Sequence, residues 1–108
     1  GRYVLIGQYL NKLPQNLPKF VIVNELGVMV RGIPMPAQTI MFITDTFLPE
    51  DREKKNIHYL LPNELPQLGG INKGIIIPLE TNSQMEAQLH DIFPGKTLRK
   101  DFLGALRI

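Results

Sequence analysis

Proline placement is the feature that most constrains how this chain can fold. All nine prolines follow an apolar residue, at positions 14, 18, 34, 36, 49, 62, 66, 78 and 94. Proline has no backbone N–H and biases its predecessor toward extended geometry, so these dipeptides mark segment ends and sheet edges rather than helix interiors. The prolines therefore divide the chain into short pieces.

The pieces between the prolines are rich in β-branched and aromatic residues, which is the composition of strands. Residues 20–23 and 28–30 predict a β-hairpin, because Gly27 can adopt the positive φ that closes the four-residue loop between them. Further strands are predicted at residues 3–6, 39–44, 57–61 and 74–79, which makes about six in all. Residues 49–56 alternate acid and base and predict a solvated loop or one exposed helical turn.

The pattern changes after Leu79. Ser83 and Glu86 match a capping box, in which each side chain bonds a free amide at the start of a helix. An apolar stripe follows at helical spacing, formed by Met85, Leu89, Ile92 and Phe93. Pro94 ends this helix, and Thr97 is expected to cap a second one. The apolar face of that second helix would carry Leu98, Phe102, Ala105 and Leu106.

Strands followed by helices, rather than strict alternation, predict an α+β fold. We expect a small, mostly antiparallel sheet of about six short strands, with two C-terminal helices on one face or end. A doubly wound parallel sheet needs crossover helices of about ten or more residues, and the early candidate at residues 6–13 contains Gly7 and ends at Pro14. The 108 residues fit a single domain, strand-rich over 1–79 and helical over 83–108.

Composition limits the chemistry of this chain. Its apolar share of 44% allows a core to form without disulfide or metal cross-links. The absence of cysteine excludes disulfides, thiolate zinc sites and thiol nucleophiles. No apolar run approaches the ~20 residues of a membrane helix, so we expect a soluble chain with no membrane span. The start at Gly1 has neither an initiator Met nor the layout of a signal peptide, so localisation stays open, with the cytoplasm slightly favoured.

The usual site motifs do not occur. His58 and His90 are the two histidines and lack the spacing of metal ligands, so no metal site is predicted. Ser83 is the single serine and lies outside a nucleophile elbow. The glycine-rich residues 69–74 run into a predicted strand rather than a helix, which excludes a phosphate-binding loop. No cofactor is predicted, and an enzyme would have to use separated carboxylates such as Asp45 and Glu80.

Positive charge is concentrated at the C-terminal end. Residues 1–95 hold eight Lys or Arg against nine Asp or Glu, whereas residues 96–108 hold four against Asp101 alone. These four are the predicted binding residues: Lys96, Arg99, Lys100 and Arg107. On a helix they would lie away from the apolar face, exposed to phosphates or to an acidic protein surface.

The same segment carries a local resemblance to a known family. Residues 94–108 follow the pattern P-G-x-x-L-R-x-D-F-L-x-x-L-x-I and resemble the opening helix of helix-turn-helix antitoxins of the HigA type. The resemblance covers 15 residues and implies a helix here. The DNA-reading helices of that family come after this segment, so the resemblance does not extend to the part that reads DNA.

A second motif is the frame L-P-x-x-L-P, which occurs at residues 13–18 and again at 61–66. It indicates either extended docking edges for a partner or rigid connections that pack two leucines on the core.

Three functional hypotheses remain. The leading one is a non-catalytic protein-interaction or assembly domain that binds a protein partner or itself; the alternative is a nucleic-acid-binding module that uses the basic C-terminal helix; the third is a small enzyme with carboxylate acid/base chemistry.

Overall fold

The computed structural model describes residues 1–27 and 29–108, which form an α+β fold. The helices are α1 Arg2–Lys12, α2 Met35–Thr44, α3 Pro49–Lys55 and α4 Ser83–Ile92, with a 3-10 helix at Pro62–Leu68. The strands are β1 Lys19–Ile22, β2 Met29–Val30, β3 Ile33–Pro34, β4 Ile57–Leu60, β5 Ile75–Pro78, β6 Arg99–Lys100 and β7 Leu106–Arg107. No helix in this part of the chain is long and apolar enough to cross a bilayer.

The main sheet is mixed rather than mostly antiparallel. Its five strands lie in the order β4, β1, β5, β7, β6, and β2 pairs with β3 in a separate two-stranded sheet. The central strand β1 runs parallel to both neighbours, with Val21 opposite Tyr59 of β4 and Ile77 of β5. The antiparallel pairs join β5 to β7 and β7 to β6. The parallel pairs are possible because α2 and α3 connect β1 to β4, and the 3-10 helix connects β4 to β5.

Both faces of the sheet are covered. One face packs against α1 and α2, and its buried side chains include Ile6, Leu10, Val21, Ile40, Ile57, Ile75 and Ile77. The other face packs against the 3-10 helix and α4, and its buried side chains include Ile22, Leu60, Leu65, Ile76, Leu89 and Phe93. The three isoleucines of β5 alternate between these two clusters and are fully buried, so this strand reads as a continuous apolar run.

Two of the predicted strands are helices. Residues 3–6 belong to α1 and residues 39–44 belong to α2. In α2 the buried residues recur at helical spacing, as Ala37, Ile40, Met41 and Thr44. Pro36 lies in the first turn of this helix, where its missing N–H costs nothing. Periodicity and the proline therefore outweigh the β-branched composition that favoured a strand.

The predicted hairpin is wrong in its pairing. Residues 20–23 largely coincide with β1, but β1 pairs with β4 and β5, while Met29 and Val30 pair with β3. Val28 lies outside the described residues. Gly27 has the expected positive φ of 54°. The strands predicted at residues 57–61 and 74–79 are confirmed as β4 and β5.

The predicted C-terminal architecture is half correct. A helix does begin at Ser83, although its cap is Asn82, whose Oδ1 accepts from the Met85 amide at 3.0 Å. The second helix is absent, and β6 and β7 form a hairpin in its place. Asp101 Oδ1 accepts from the Leu103 and Ala105 amides, at 2.9 and 3.1 Å. With Gly104 at a φ of 80°, these bonds favour a tight turn over a helix.

Arg2 links the start of α1 to distant parts of the chain. Its guanidinium donates to the carbonyls of Pro78, Leu79 and Leu103, at 2.9, 2.8 and 2.8 Å. These three bonds join the first helix to the end of β5 and to the loop of the C-terminal hairpin. A side chain thereby satisfies the carbonyls of the last residue of β5 and of the residue after it.

The contact between α1 and α2 depends on Gly7. A Cβ atom at this position would lie 2.8 Å from both Cβ and Cγ2 of Ile43. Real Cβ atoms do not approach this closely, and the β-branched Ile43 has little rotamer freedom in a helix. The two helices can therefore come this near only with glycine at position 7.

We expect Gly7→Ala to destabilise the protein, although alanine is the better helix former by ~1 kcal/mol. The overpacking cost of about 1–3 kcal/mol should exceed that gain. Urea unfolding measures the difference. The neighbouring exposed substitution Gln8→Ala is the control and should change stability by less than about 0.5 kcal/mol. A more stable Gly7→Ala protein would contradict the close approach of the two helices.

Candidate functional site

The predicted binding cations lie on the hairpin rather than on a helix. Arg99 and Lys100 form β6, Arg107 lies in β7, and Lys96 lies in the turn before them. All four side chains are exposed. Successive residues of a strand face opposite sides, so the hairpin divides the four cations between two faces. The structure therefore keeps these residues near one another but does not give them the shared helical face that the sequence predicted.

Arg99 lies directly opposite Arg107 in the antiparallel register. Like charges at directly opposite positions repel each other and destabilise a strand pair. Among the described residues neither arginine forms an ion pair, whereas Lys100 Nζ lies 2.6 Å from Glu86 Oε1. A surface cavity of about 310 Å³ adjoins the two arginines, lined by Thr97, Arg99, Arg107 and Ile108. Both arginines therefore line the same cavity.

The outer face of α2 is uncovered and carries two exposed apolar side chains, Met35 and Phe42, with the half-buried Thr39 between them. The helix spans ten residues and contains no ionisable side chain. Its inner face is buried, but Phe42 is 76% exposed and Met35 is 48% exposed. Phe47 and Leu48, which follow the helix, are also exposed apolar residues. A helix at the surface normally carries charged residues on its outer face. The sequence of α2 has none, which is typical of a buried helix, yet one side of α2 faces solvent.

Hydroxyl groups hold the end of α2 in place. Thr44 Oγ1 donates to the Ile40 carbonyl at 2.8 Å, which uses its one proton. Thr46 Oγ1 therefore donates to Thr44 Oγ1 at 2.7 Å, and the Tyr59 hydroxyl donates to Thr46 Oγ1 at 2.7 Å. Burial raises the pKa of Tyr59, which keeps this chain of donors neutral at ordinary pH. The hydroxyl chain joins α2 to β4.

Side chains of α1 and α3 bond the backbone at the same end of α2. Arg52 donates to the carbonyls of Thr46 and Phe47, and its guanidinium carbon lies 5.6 Å from the centre of the Tyr59 ring. Lys55 Nζ donates to the Thr44 carbonyl at 2.6 Å, and Asn11 Nδ2 donates to the Ile43 carbonyl at 2.9 Å. Cations are favoured at a helix C-terminus, where unpaired carbonyls concentrate negative charge. The apolar face of α2 is therefore held on a rigid support.

Lys19 is a buried cation that the sequence analysis missed. It opens β1, is only 1% exposed, and donates from Nζ to the carbonyls of Pro14 and Leu17, both at 2.7 Å. Burial lowers its pKa, because the charged form loses its hydration. A cavity of about 250 Å³ adjoins it, lined by Leu10, Asn11, Leu13, Gln15, Lys19, Lys55 and Ile57.

The other candidate residues do not converge on a site. Asp45 ends α2 near the amino-terminal edge of the parallel strands, whereas Glu80 follows β5 at the carboxyl-terminal edge. Glu80 accepts a bond from the Tyr3 hydroxyl at 3.1 Å instead. His58 stacks on Phe20, with ring centroids 5.3 Å apart. Across residues 1–27 and 29–108, no three His, Cys, Asp or Glu side chains are grouped closely enough to hold a metal.

The two L-P-x-x-L-P frames adopt different structures. The first lies between α1 and β1 and supplies the carbonyls that Lys19 binds, with Leu17 buried. The second opens with Leu61 exposed and continues as the 3-10 helix, with Leu65 buried. In both frames the second leucine packs into the core. The shared letters therefore do not produce a shared docking edge.

Comparison with family models, with curated proteins and with solved structures finds no match. Functional inference therefore depends on the exposed α2 face, the arginine pair and the cavity beside Lys19.

The buried ammonium of Lys19 predicts a specific pH dependence of stability. Because the folded-state pKa lies below the ordinary value of 10.5, the unfolded chain binds more protons between these two pKa values. Stability conferred by position 19 should therefore rise with pH across that window. Lys19→Met removes this titration, so the unfolding free energy of the wild type minus that of the variant should increase with pH. Tyrosine titration is common to both proteins and cancels in the difference. A flat difference would show that Lys19 is not desolvated.

Proposed function

We propose that this domain is a non-catalytic assembly module, and that the outer face of α2 binds a second copy of the chain. The observation that carries the proposal is an outer helix face without a charged side chain, on which Phe42 is the most exposed residue. Large exposed apolar patches on folded domains commonly mark protein contacts.

A second copy fits this face for two reasons. The helix contains no ionisable residue, so pairing two copies buries no like charges. The exposed Arg31 precedes the helix and the exposed Asp45 follows it. A two-fold axis that sets the two α2 helices antiparallel therefore places Arg31 of one copy toward Asp45 of the other. In that arrangement the segment before the helix, which contains Arg31 in the turn between β2 and β3, and the residue after it, Asp45, carry opposite charges.

The size of the face favours a modest interface. Ten residues at about 1.5 Å each give α2 a length of roughly 15 Å. A standard interface buries about 800 Å² on each partner, or roughly an eighth of the 6279 Å² surface of this chain. The helix reaches that area only with Phe47, Leu48 and the neighbouring loop included. We therefore expect a reversible dimer at micromolar concentrations rather than an obligate one.

Replacing Phe42 with Glu should abolish the dimer. In a paired state the carboxylate would be buried against the partner's apolar face without a counter-charge, which costs several kcal/mol. Multi-angle light scattering over a concentration series measures the mass of the wild type and the variant. Phe102→Glu is the matched control, since Phe102 is 89% exposed but lies in the hairpin loop, away from α2.

The expected result is a mass that rises with concentration for the wild type and for Phe102→Glu, and a monomer mass for Phe42→Glu. A wild type that stays monomeric at all concentrations would overturn self-association. Equal loss of dimer in both variants would place the interface elsewhere, or show that added negative charge alone disrupts it.

A second candidate function is contact with nucleic-acid phosphates through the C-terminal hairpin. Its support is the pair of Arg99 and Arg107, two guanidinium groups held opposite each other beside a cavity. An anion between them would relieve their repulsion, and guanidinium groups bind phosphate oxygens in a bidentate manner. Lys96 and Lys100 add charge to the same hairpin, although Lys100 is already paired with Glu86.

A salt titration of duplex DNA binding tests this second function. Each phosphate contact adds about −0.9 to the slope of log affinity against log salt, so Arg99→Gln with Arg107→Gln should flatten the slope by about 1.8. The control is Lys96→Gln with Lys100→Gln, which removes equal charge and should flatten it less. Replacing all four should abolish binding. Absence of wild-type binding at ~50 mM salt, where attraction is strong, would refute this function.

A further inference from the structure

The cavity beside Lys19 lies at the amino-terminal edge of the parallel strands, apart from the outer face of α2 and from the hairpin. Residues from α1, the following loop, α3 and the first positions of β1 and β4 line it. The polar residues that line it are Lys19, Lys55, Asn11 and Gln15. The remaining wall is apolar, and no carboxylate lines the cavity.

The charge in this wall is not balanced. Lysine is almost never fully buried unless it is paired with an opposite charge, yet in the described structure no acidic side chain lies within ion-pair distance of Lys19 or Lys55. The carbonyls of Pro14, Leu17 and Thr44 accept bonds from the two ammonium groups. Carbonyl dipoles offset part of the desolvation cost, but they do not neutralise two unit charges.

The two ammonium groups also have N–H donors that no protein acceptor uses in the described structure. Each protonated lysine has three N–H bonds. Lys19 uses two of them and Lys55 uses one, so three N–H bonds of the pair have no protein acceptor within the described residues. A group with several acceptor oxygens and a negative charge matches this set of donors.

We propose that this cavity is a binding site for a single oxyanion group, a phosphate or a carboxylate, held between Lys19 and Lys55. Its volume of about 250 Å³ lies below the range of about 300–1,000 Å³ that holds drug-sized ligands, so it accommodates a small anion or the charged end of a larger molecule. The amides of Asn11 and Gln15 lie at its rim and are exposed.

Binding at this site should be linked to protonation. The anion favours the charged form of Lys19 and opposes the lowering of its pKa by burial. Affinity should therefore fall as the pH rises through the pKa of Lys19, because the neutral amine no longer attracts the anion. An anion that merely screens surface charges would not show this dependence.

The test uses the whole chain with inorganic phosphate in one arm and sodium acetate in the other, each against sodium chloride at equal ionic strength. A ligand that binds only the folded state raises the melting temperature with concentration, which gives an apparent Kd. Lys55→Gln should weaken binding about tenfold, since it removes one charge-assisted bond to the anion. Lys54→Gln is the matched control, because it removes the same charge from an exposed position of the same helix.

Lys19→Met is the second variant and should abolish the rise in melting temperature. Its melting temperature with the anion is compared with that of the same variant without the anion. A larger shift with phosphate than with acetate identifies a phosphate group, and the reverse identifies a carboxylate. The site is supported if the rise in melting temperature with either anion is lost in Lys55→Gln and retained in Lys54→Gln. No shift beyond that of chloride, or equal effects of the two glutamine variants, would overturn it and leave Lys19 as a clamp on the loop at residues 13–18.

Discussion

Burial of β1 between two parallel neighbours is the constraint on which the rest of the structure depends. Val21 and Ile22 face opposite sides of the sheet and are both fully buried, so each side needs a covering layer. The layer of α1 and α2 covers one side, and the 3-10 helix with α4 covers the other. Within the described residues, no other helix covers the outer face of α2. The uncovered apolar face of that helix follows from how the available helices are distributed.

Sequence patterns predicted the strands that are buried on both faces better than they predicted pairing. Ile75 to Ile77 and Ile57 to Leu60 are rich in β-branched and aromatic residues, and both segments are strands in the structure. In α2, Thr39 and Ile40 have the same composition but form a helix, since burial there recurs at a helical period. Whether β1 pairs with its sequence neighbour or with distant strands depends on long-range packing, which local composition does not encode.

The candidate surfaces differ in how far the sequence revealed them. Charge counting located the C-terminal cations correctly, but it did not show that Arg99 and Arg107 would face each other across a hairpin. Asp101 and Gly104 form the turn of this hairpin, whereas the apolar residues at helical spacing predicted a helix there. Nothing in the sequence marked Lys19 as buried, because its burial results from the loop that folds over it and from the helices above β1.

The bonds of Arg2 have a consequence for how the chain folds. They connect positions separated by 76, 77 and 101 residues, and the central strand is completed by partners far along the sequence. Contacts of this range form only after large loops close, so the chain loses loop entropy before the contacts stabilise the fold. Folding should therefore be slow for the size of the domain and strongly cooperative. During synthesis, the bond from Arg2 to the Leu103 carbonyl can form only after the C-terminal hairpin has left the ribosome.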